Sequence, residues 1–94
     1  MLIPTSPATA ARGCDTVRRP YTDASPIITV VRGPVRCANA RGVMKRYWLS
    51  EVLAFRKTKT LRFAGIRWTC RPTGSGFPTR WRCTSRRSTV TARE

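Results

Sequence analysis

Residues 60–84 read TLRFAGIRWTCRPTGSGFPTRWRCT, and apolar and polar side chains alternate on both sides of a segment rich in Gly and Pro. Alternation with a period of two predicts half-buried strands, and the Gly and Pro residues predict a turn between them. The alternation slips by one residue at Ala64-Gly65, where we expect a bulge or a tight turn. The stretch therefore predicts a β-hairpin.

This hairpin is predicted to have an apolar face and a basic face. We take Ser75-Gly76 as a two-residue turn. The register that follows places Cys70 opposite Trp81 and Trp68 opposite Cys83. The other face then presents Arg67, Arg71, Arg80 and Arg82. Like charges side by side repel one another unless water or a polyanion neutralises them, so this face is a candidate binding surface.

From Val43 to Lys57 the apolar spacing becomes that of a helix. Its apolar arc holds Met44, Tyr47, Trp48, Val52, Ala54 and Phe55, and its polar arc holds Lys45, Arg46, Ser50 and Lys57. Leu49 and Leu53 fall in the polar arc, so we expect the helix to touch two neighbours or a partner. Glu51 lies in the apolar arc, where an ion pair with an arginine is a better explanation than a catalytic role.

A β-branched run, Ile27–Val31, lies between Pro26 and Gly33-Pro34 and predicts a further strand. The fold class expected is α+β, with one amphipathic helix packed on a small antiparallel β-sheet or hairpin. Residues 1–25 show no periodicity and predict a disordered basic leader, residues 26–88 a small basic domain, and residues 89–94 a frayed C-terminal tail. A chain of 94 residues buries one small core at most.

The charge of the chain indicates an anionic partner. Nineteen Lys and Arg oppose four Asp and Glu, and the formal net charge is +15. All the cations except Lys45, Lys57 and Lys59 are arginine. The planar guanidinium forms paired hydrogen bonds to phosphate, so the bias favours nucleic acid over other anions. A GC-rich coding sequence is the alternative explanation of the same bias.

Basic and aromatic residues also interleave, as in Arg67-Trp68 and Arg80-Trp81-Arg82. Such mixtures suit single-stranded nucleic acid, because bases stack on rings while arginine holds phosphate. Strand alternation gives the opposite outcome, with the rings in the core and the arginines in solvent. The sequence leaves both open.

Enzymatic chemistry is not expected. The chain has no His, and its four acids are scattered without a pairing spacing. Cys14, Cys37, Cys70 and Cys83 lack the Cys-x-x-Cys pairs of zinc sites, and no secretory signal or membrane span is recognisable. We therefore predict free thiols, with a metal site second, and no cofactor. The compartment is left undecided, with an intracellular one favoured and organellar targeting as an option.

Three short segments resemble excisionase-type small regulators: KRYWLSEVLA at 45–54, Gly76-Phe77-Pro78, and RRSTV at 86–90 followed by Arg93-Glu94. The resemblance covers about half of the chain. That family has a winged helix-turn-helix fold whose second helix enters the major groove. The resemblance implies that Lys57, Lys59 and Arg62 lie nearest the DNA and that Arg80, Arg82, Arg86 and Arg87 form the wing. Here the basic segment 56–62 has a strand-like pattern where the family has its recognition helix.

The function predicted is a small non-enzymatic nucleic-acid-binding protein, with DNA or RNA undecided and protein partners unknown. The candidate contacts are Lys57, Lys59, Arg62, Arg67, Arg71, Arg80, Arg82, Arg86 and Arg87. One alternative is a cationic peptide that binds an anionic membrane surface or a protein. Another is a chance reading frame without an evolved function.

Overall fold

The computed structural model describes residues 11–19, 24–50, 58–74 and 80–94. These ranges contain β1 Arg12–Thr16, β2 Ile27–Arg32, α1 Cys37–Ser50, β3 Lys59–Phe63, β4 Ile66–Pro72, β5 Arg80–Thr84 and β6 Thr89–Arg93. The strands form one sheet in the order β1-β2-β6-β5-β4-β3, and every neighbouring pair is antiparallel. The predicted α+β class and the strand after Pro26 are confirmed.

The core lies between α1 and one face of the sheet. The buried helix residues are Ala40, Val43, Met44, Tyr47 and Trp48, spaced three and four apart so that they share one side of the helix. They pack on Trp68, Cys70, Trp81, Cys83, Val90, Ala92, Ile28 and Val30. The rings of Trp48 and Trp81 meet edge to face at 5.3 Å, a favourable aromatic geometry that adds to their large apolar area.

The helix begins six residues before the predicted start at Val43. Ala40 extends the buried side by one turn, but as a small residue it gives little apolar signal in the sequence. Leu49 is exposed, and the residues predicted to continue the helix, 51–57, lie outside the described residues and include Glu51 and Lys57.

The slip at Ala64-Gly65 is a tight turn between β3 and β4. Phe63 pairs with Ile66, and both turn residues have positive φ, 53° for Ala64 and 76° for Gly65. Two left-handed residues give the turn the twist of a two-residue hairpin. Of the two alternatives, bulge and turn, the structure has the turn.

The register predicted for the second hairpin is wrong by two residues. Cys70 pairs with Cys83 and Pro72 with Trp81, whereas Cys70 was expected opposite Trp81. The amide of Thr73 also donates to the carbonyl of Arg80 over 3.0 Å, which continues the observed register one step beyond Pro72 and Trp81. A shift of two leaves every side chain on its predicted face, because strand side chains alternate with that period.

The leader and the tail also differ from the prediction. Within 1–25, residues 12–16 form the edge strand β1, held by the disulfide from Cys14 to Cys37 and by hydrogen bonds from Arg12 to the carbonyl oxygens of Gly33 and Val35. Within 89–94, β6 lies in the middle of the sheet with Val90 and Ala92 buried. Long-range pairing stabilises both segments, and local sequence carries little sign of it. Residues 1–10 and 20–23 lie outside the described residues.

Gly33 is a position where the fold requires glycine. Its φ is +96°, and a Cβ there would overlap the backbone oxygen of Arg87 and the side chain of Ser88. We expect Gly33→Ala to lower the free energy of unfolding by about 2–5 kcal/mol, from left-handed strain and steric overlap together. Urea unfolding measures this loss in the free energy of unfolding. Gly13→Ala is the control, since nothing lies within 4 Å of an added Cβ there. An equal midpoint for both variants would contradict this packing.

Candidate nucleic-acid interface

The sheet face away from α1 carries arginine and threonine. Alternation along four strands directs the arginines outward, and each of them is exposed. We call this set the arginine face: Arg62, Arg67, Arg71, Arg80, Arg82 and Arg93. The surface is built on paired strands, so its cations have fixed relative positions at the backbone level.

The arginine face is made of three directly opposed pairs. The partners across neighbouring strands are Arg62 and Arg67, Arg71 and Arg82, and Arg80 and Arg93. Opposed residues have Cβ atoms only about 5 Å apart, and like charges at that spacing destabilise a sheet. The arrangement therefore opposes folding unless anions compensate the charge.

A row of threonines crosses the face between the arginine pairs. Thr60, Thr69, Thr84 and Thr89 are successive cross-strand partners, from β3 to β6. The hydroxyl oxygens of Thr60 and Thr69 are 3.5 Å apart, and Arg32 donates to the hydroxyl of Thr89 over 3.3 Å. Because the threonine side chains are short, they do not cover the longer arginine side chains on either side of the row. Their hydroxyl groups also make the centre of the face polar.

The acids that the structure describes lie away from this face. Asp15 is on β1, at the far edge of the sheet from β3. Glu94 accepts from Arg19 over 2.8 Å, and Arg19 in turn lies over the rings of Trp81 and Trp48 at 4.7 and 5.9 Å, on the α1 side. The ion pair thus belongs to the core side, and within the described ranges no carboxylate neutralises the arginine face.

No known family model, characterised protein or solved structure matches this chain. The resemblance to excisionase-type regulators stays an expectation, although Lys59 and Arg62, which it places nearest DNA, lie on a strand here. In the described part of the chain, no helix has the length and apolar character needed to cross a membrane.

The structure brings five of the nine predicted contacts together on the arginine face: Arg62, Arg67, Arg71, Arg80 and Arg82. Arg86 and Arg87 are exposed at the β5–β6 turn, at the end of the same sheet. Lys59 is separate, because its ammonium donates to the carbonyl oxygen of Ser50 over 3.4 Å at the end of α1. Lys57 lies outside the described residues.

Sequence reasoning missed Arg93 and Arg36. Arg93 was assigned to a frayed tail, yet Thr89, Thr91 and Arg93 alternate with the buried Val90 and Ala92, which is the signal that would have found it. Arg36 precedes α1 in a loop with no periodic pattern, so only the folded structure shows that it lies near Arg67, Arg86 and Arg87.

The tryptophans are not available for base stacking. Trp48, Trp68 and Trp81 are each at most 3% exposed, and Tyr47 is fully buried. Strand alternation therefore separates the two kinds of residue, with the aromatic rings in the core and the arginines in solvent. Neither Trp68 nor Trp81 reaches the surface, so neither ring can contact a base.

All four cysteines form disulfides, Cys14 with Cys37 and Cys70 with Cys83. The predicted free thiols are therefore wrong, and no thiolate remains to bind zinc. The wrong hairpin register concealed the second bridge, since it placed Trp81 opposite Cys70. The first bridge depends on β1, which was assigned to the leader.

Proposed function

We propose that this protein binds the phosphate backbone of nucleic acid through its arginine face. One observation supports this above all: three opposed arginine pairs share a sheet face on β3 to β6, and these four strands contain no Asp or Glu. A phosphate backbone supplies many anions in a row. Its phosphates neutralise the repulsion between the opposed arginines, which favours binding. A single small anion would neutralise only one pair.

Guanidinium chemistry and the buried rings suggest the mode of binding. Each arginine can hold phosphate by two parallel hydrogen bonds, and the threonine hydroxyls can add further phosphate contacts. With Trp48, Trp68 and Trp81 in the core, stacking on unpaired bases has no tryptophan platform. The proposal is therefore backbone binding with little sequence preference, to DNA or RNA.

A second candidate is an anionic membrane surface, which the two disulfides favour because such bridges persist in oxidising compartments. The amphipathic-helix mode of membrane binding is less suitable here, since Met44, Tyr47 and Trp48 already face the sheet. Adsorption would use the arginine face instead.

A salt series with three probes tests the proposal: 20-base-pair DNA, the equivalent RNA duplex, and vesicles with anionic headgroups. Fluorescence anisotropy gives the affinity of the oxidised protein for each duplex, and vesicle co-sedimentation gives its membrane affinity. We expect log K for a duplex to fall by about 0.9 for each tenfold rise in salt and each phosphate contacted, or about 5 for six contacts. Tighter adsorption to vesicles than to either duplex would favour the second candidate, and no duplex binding at low salt would refute the first.

A further inference from the structure

A cleft lies at the end of the sheet where three connections converge. The β2–α1 loop, the β3–β4 turn and the β5–β6 turn enclose about 1050 Å³, which we call the turn cleft. Clefts of several hundred cubic ångströms or more are the usual size for small-molecule sites. The turn cleft thus has room for a nucleotide, whereas the arginine face is an open surface.

Four arginines line the turn cleft: Arg36, Arg67, Arg86 and Arg87. All four are exposed, and none of their guanidinium groups has a hydrogen bond or an ion pair within the described residues. Acidic side chains are missing from the described lining. Several cations that converge on one concave site favour a ligand with more than one negative charge.

The walls of the cleft are fixed by local contacts. At the β5–β6 turn the amide of Ser85 donates to the carbonyl of Ser88 over 2.8 Å, and the amide of Ser88 donates to the Ser85 hydroxyl over 3.1 Å. Gly33 packs directly on the backbone of Arg87, which joins the β2–α1 loop to this turn. The backbone that carries the arginines is therefore ordered before a ligand binds, which lowers the entropic cost of binding.

The cleft also has an apolar wall. Val35 and Ile66 line it, and Ile66 is 44% exposed, so its side chain is accessible to a ligand. Asn39, Thr69 and Ser85 add polar groups beside it. A ligand that combines an anionic group with a flat or apolar body would use all three kinds of contact.

We infer that the turn cleft binds the terminal phosphate of a nucleotide, with the four arginines on the phosphate and the Val35–Ile66 wall against the sugar or base. A terminal phosphomonoester carries close to two charges and three free oxygens, whereas an internal phosphodiester carries one charge. A cleft at the end of the sheet also suits a chain end better than a continuous strand. The inference rests on the proposed function, since the cleft continues the arginine face through Arg67.

The test compares a 12-base-pair DNA bearing terminal 5′-phosphates with the same duplex bearing hydroxyls, and adenosine monophosphate with adenosine. We expect the phosphorylated duplex to bind about tenfold or more tightly, the size of one or two charge-assisted hydrogen bonds. Arg36→Gln and the double variant Arg86→Gln/Arg87→Gln should each lose this preference. Arg71→Gln/Arg82→Gln should lower the affinity for both duplexes but keep the preference for the 5′-phosphate. Lys45→Gln/Arg46→Gln should change neither the affinity nor the preference.

The outcomes separate the sources of the phosphate. A phosphate preference in the duplex assigns the cleft to strand ends. Binding of adenosine monophosphate with equal affinity for both duplexes assigns it to free nucleotides. Equal affinity for both duplexes, with no binding of adenosine monophosphate, overturns the inference while the proposed function stands. Failure of both duplexes to bind refutes the proposed function, and adenosine monophosphate then tests the cleft by itself.

Discussion

Replacing Arg71, Arg80, Arg82 and Arg93 with Gln weakens binding to duplex DNA by about 10³-fold at 0.15 M salt. The four residues form two of the opposed pairs at the centre of the arginine face. Each phosphate contact contributes about 0.9 to the salt slope, so losing four lowers the slope by about 3.6, and counterion release alone accounts for the fall in affinity. Anisotropy titrations at four salt concentrations measure both quantities. Because like charges are removed from opposed positions, we expect stability to be unchanged or slightly increased.

A matched control separates the face from total charge. Arg71→Gln/Arg82→Gln removes two charges from the arginine face, and Lys45→Gln/Arg46→Gln removes two exposed charges from α1. Both double variants have the same net charge. We expect the first to lower affinity by about 30-fold at 0.15 M salt, from the loss of two phosphate contacts, and the second to leave it nearly unchanged. Equal losses of affinity in the two variants would mean that binding depends only on net charge and that no specific face is used.

Reduction of the two disulfides unfolds the protein. Cys70 and Cys83 join β4 to β5 inside the core, and Cys14 and Cys37 join β1 to α1. Bridges of this loop length each stabilise a domain by about 3 kcal/mol, and a domain this small has about 5–10 kcal/mol in total. Excess dithiothreitol should therefore abolish the near-ultraviolet circular dichroism of the buried tryptophans. A cooperative thermal transition that persists after mass spectrometry shows full reduction would contradict this.

The two bridges are expected to differ in their effects. Cys70→Ala/Cys83→Ala also empties a fully buried position beside Met44, whose sulfur lies 3.9 Å from that of Cys83. Cys14→Ala/Cys37→Ala should release the edge strand β1 and leave the rest of the sheet paired. Hydrogen exchange would then show lost protection at 12–16 alone in the second variant and across β4, β5 and α1 in the first.

Side-chain alternation was the part of the sequence that predicted the structure best. Trp68, Cys70, Trp81 and Cys83 fall on one face and Arg67, Arg71, Arg80 and Arg82 on the other, whatever the turn. The register was not predictable in the same way. It depends on the length of the connection, and Gly74, Ser75 and Gly76 allow several turns that preserve the same faces.

The remaining elements depend on contacts far apart in sequence. β1 has only five residues and includes Gly13. It is held by a hydrogen bond from Arg12 to the loop before α1 and by the disulfide from Cys14 to Cys37, the first residue of α1. β6 pairs with β2 across more than fifty residues. Local sequence propensity shows neither the contacts of β1 nor the pairing of β6 with β2, so the sequence alone predicts an unstructured leader and tail. The same lack of local signal hid Arg36 from the candidate site.

Methyl NMR of threonine is the most direct test of the central proposal. Thr60, Thr69, Thr84 and Thr91 carry methyl groups on the arginine face, while Val43 and Val90 carry theirs in the core. Titration of the oxidised protein with 20-base-pair DNA is predicted to shift the threonine methyl signals at low salt, to leave the two valines in place, and to reverse at high salt. Shifts confined to residues of α1, or none at all while DNA binds, would contradict binding by the arginine face.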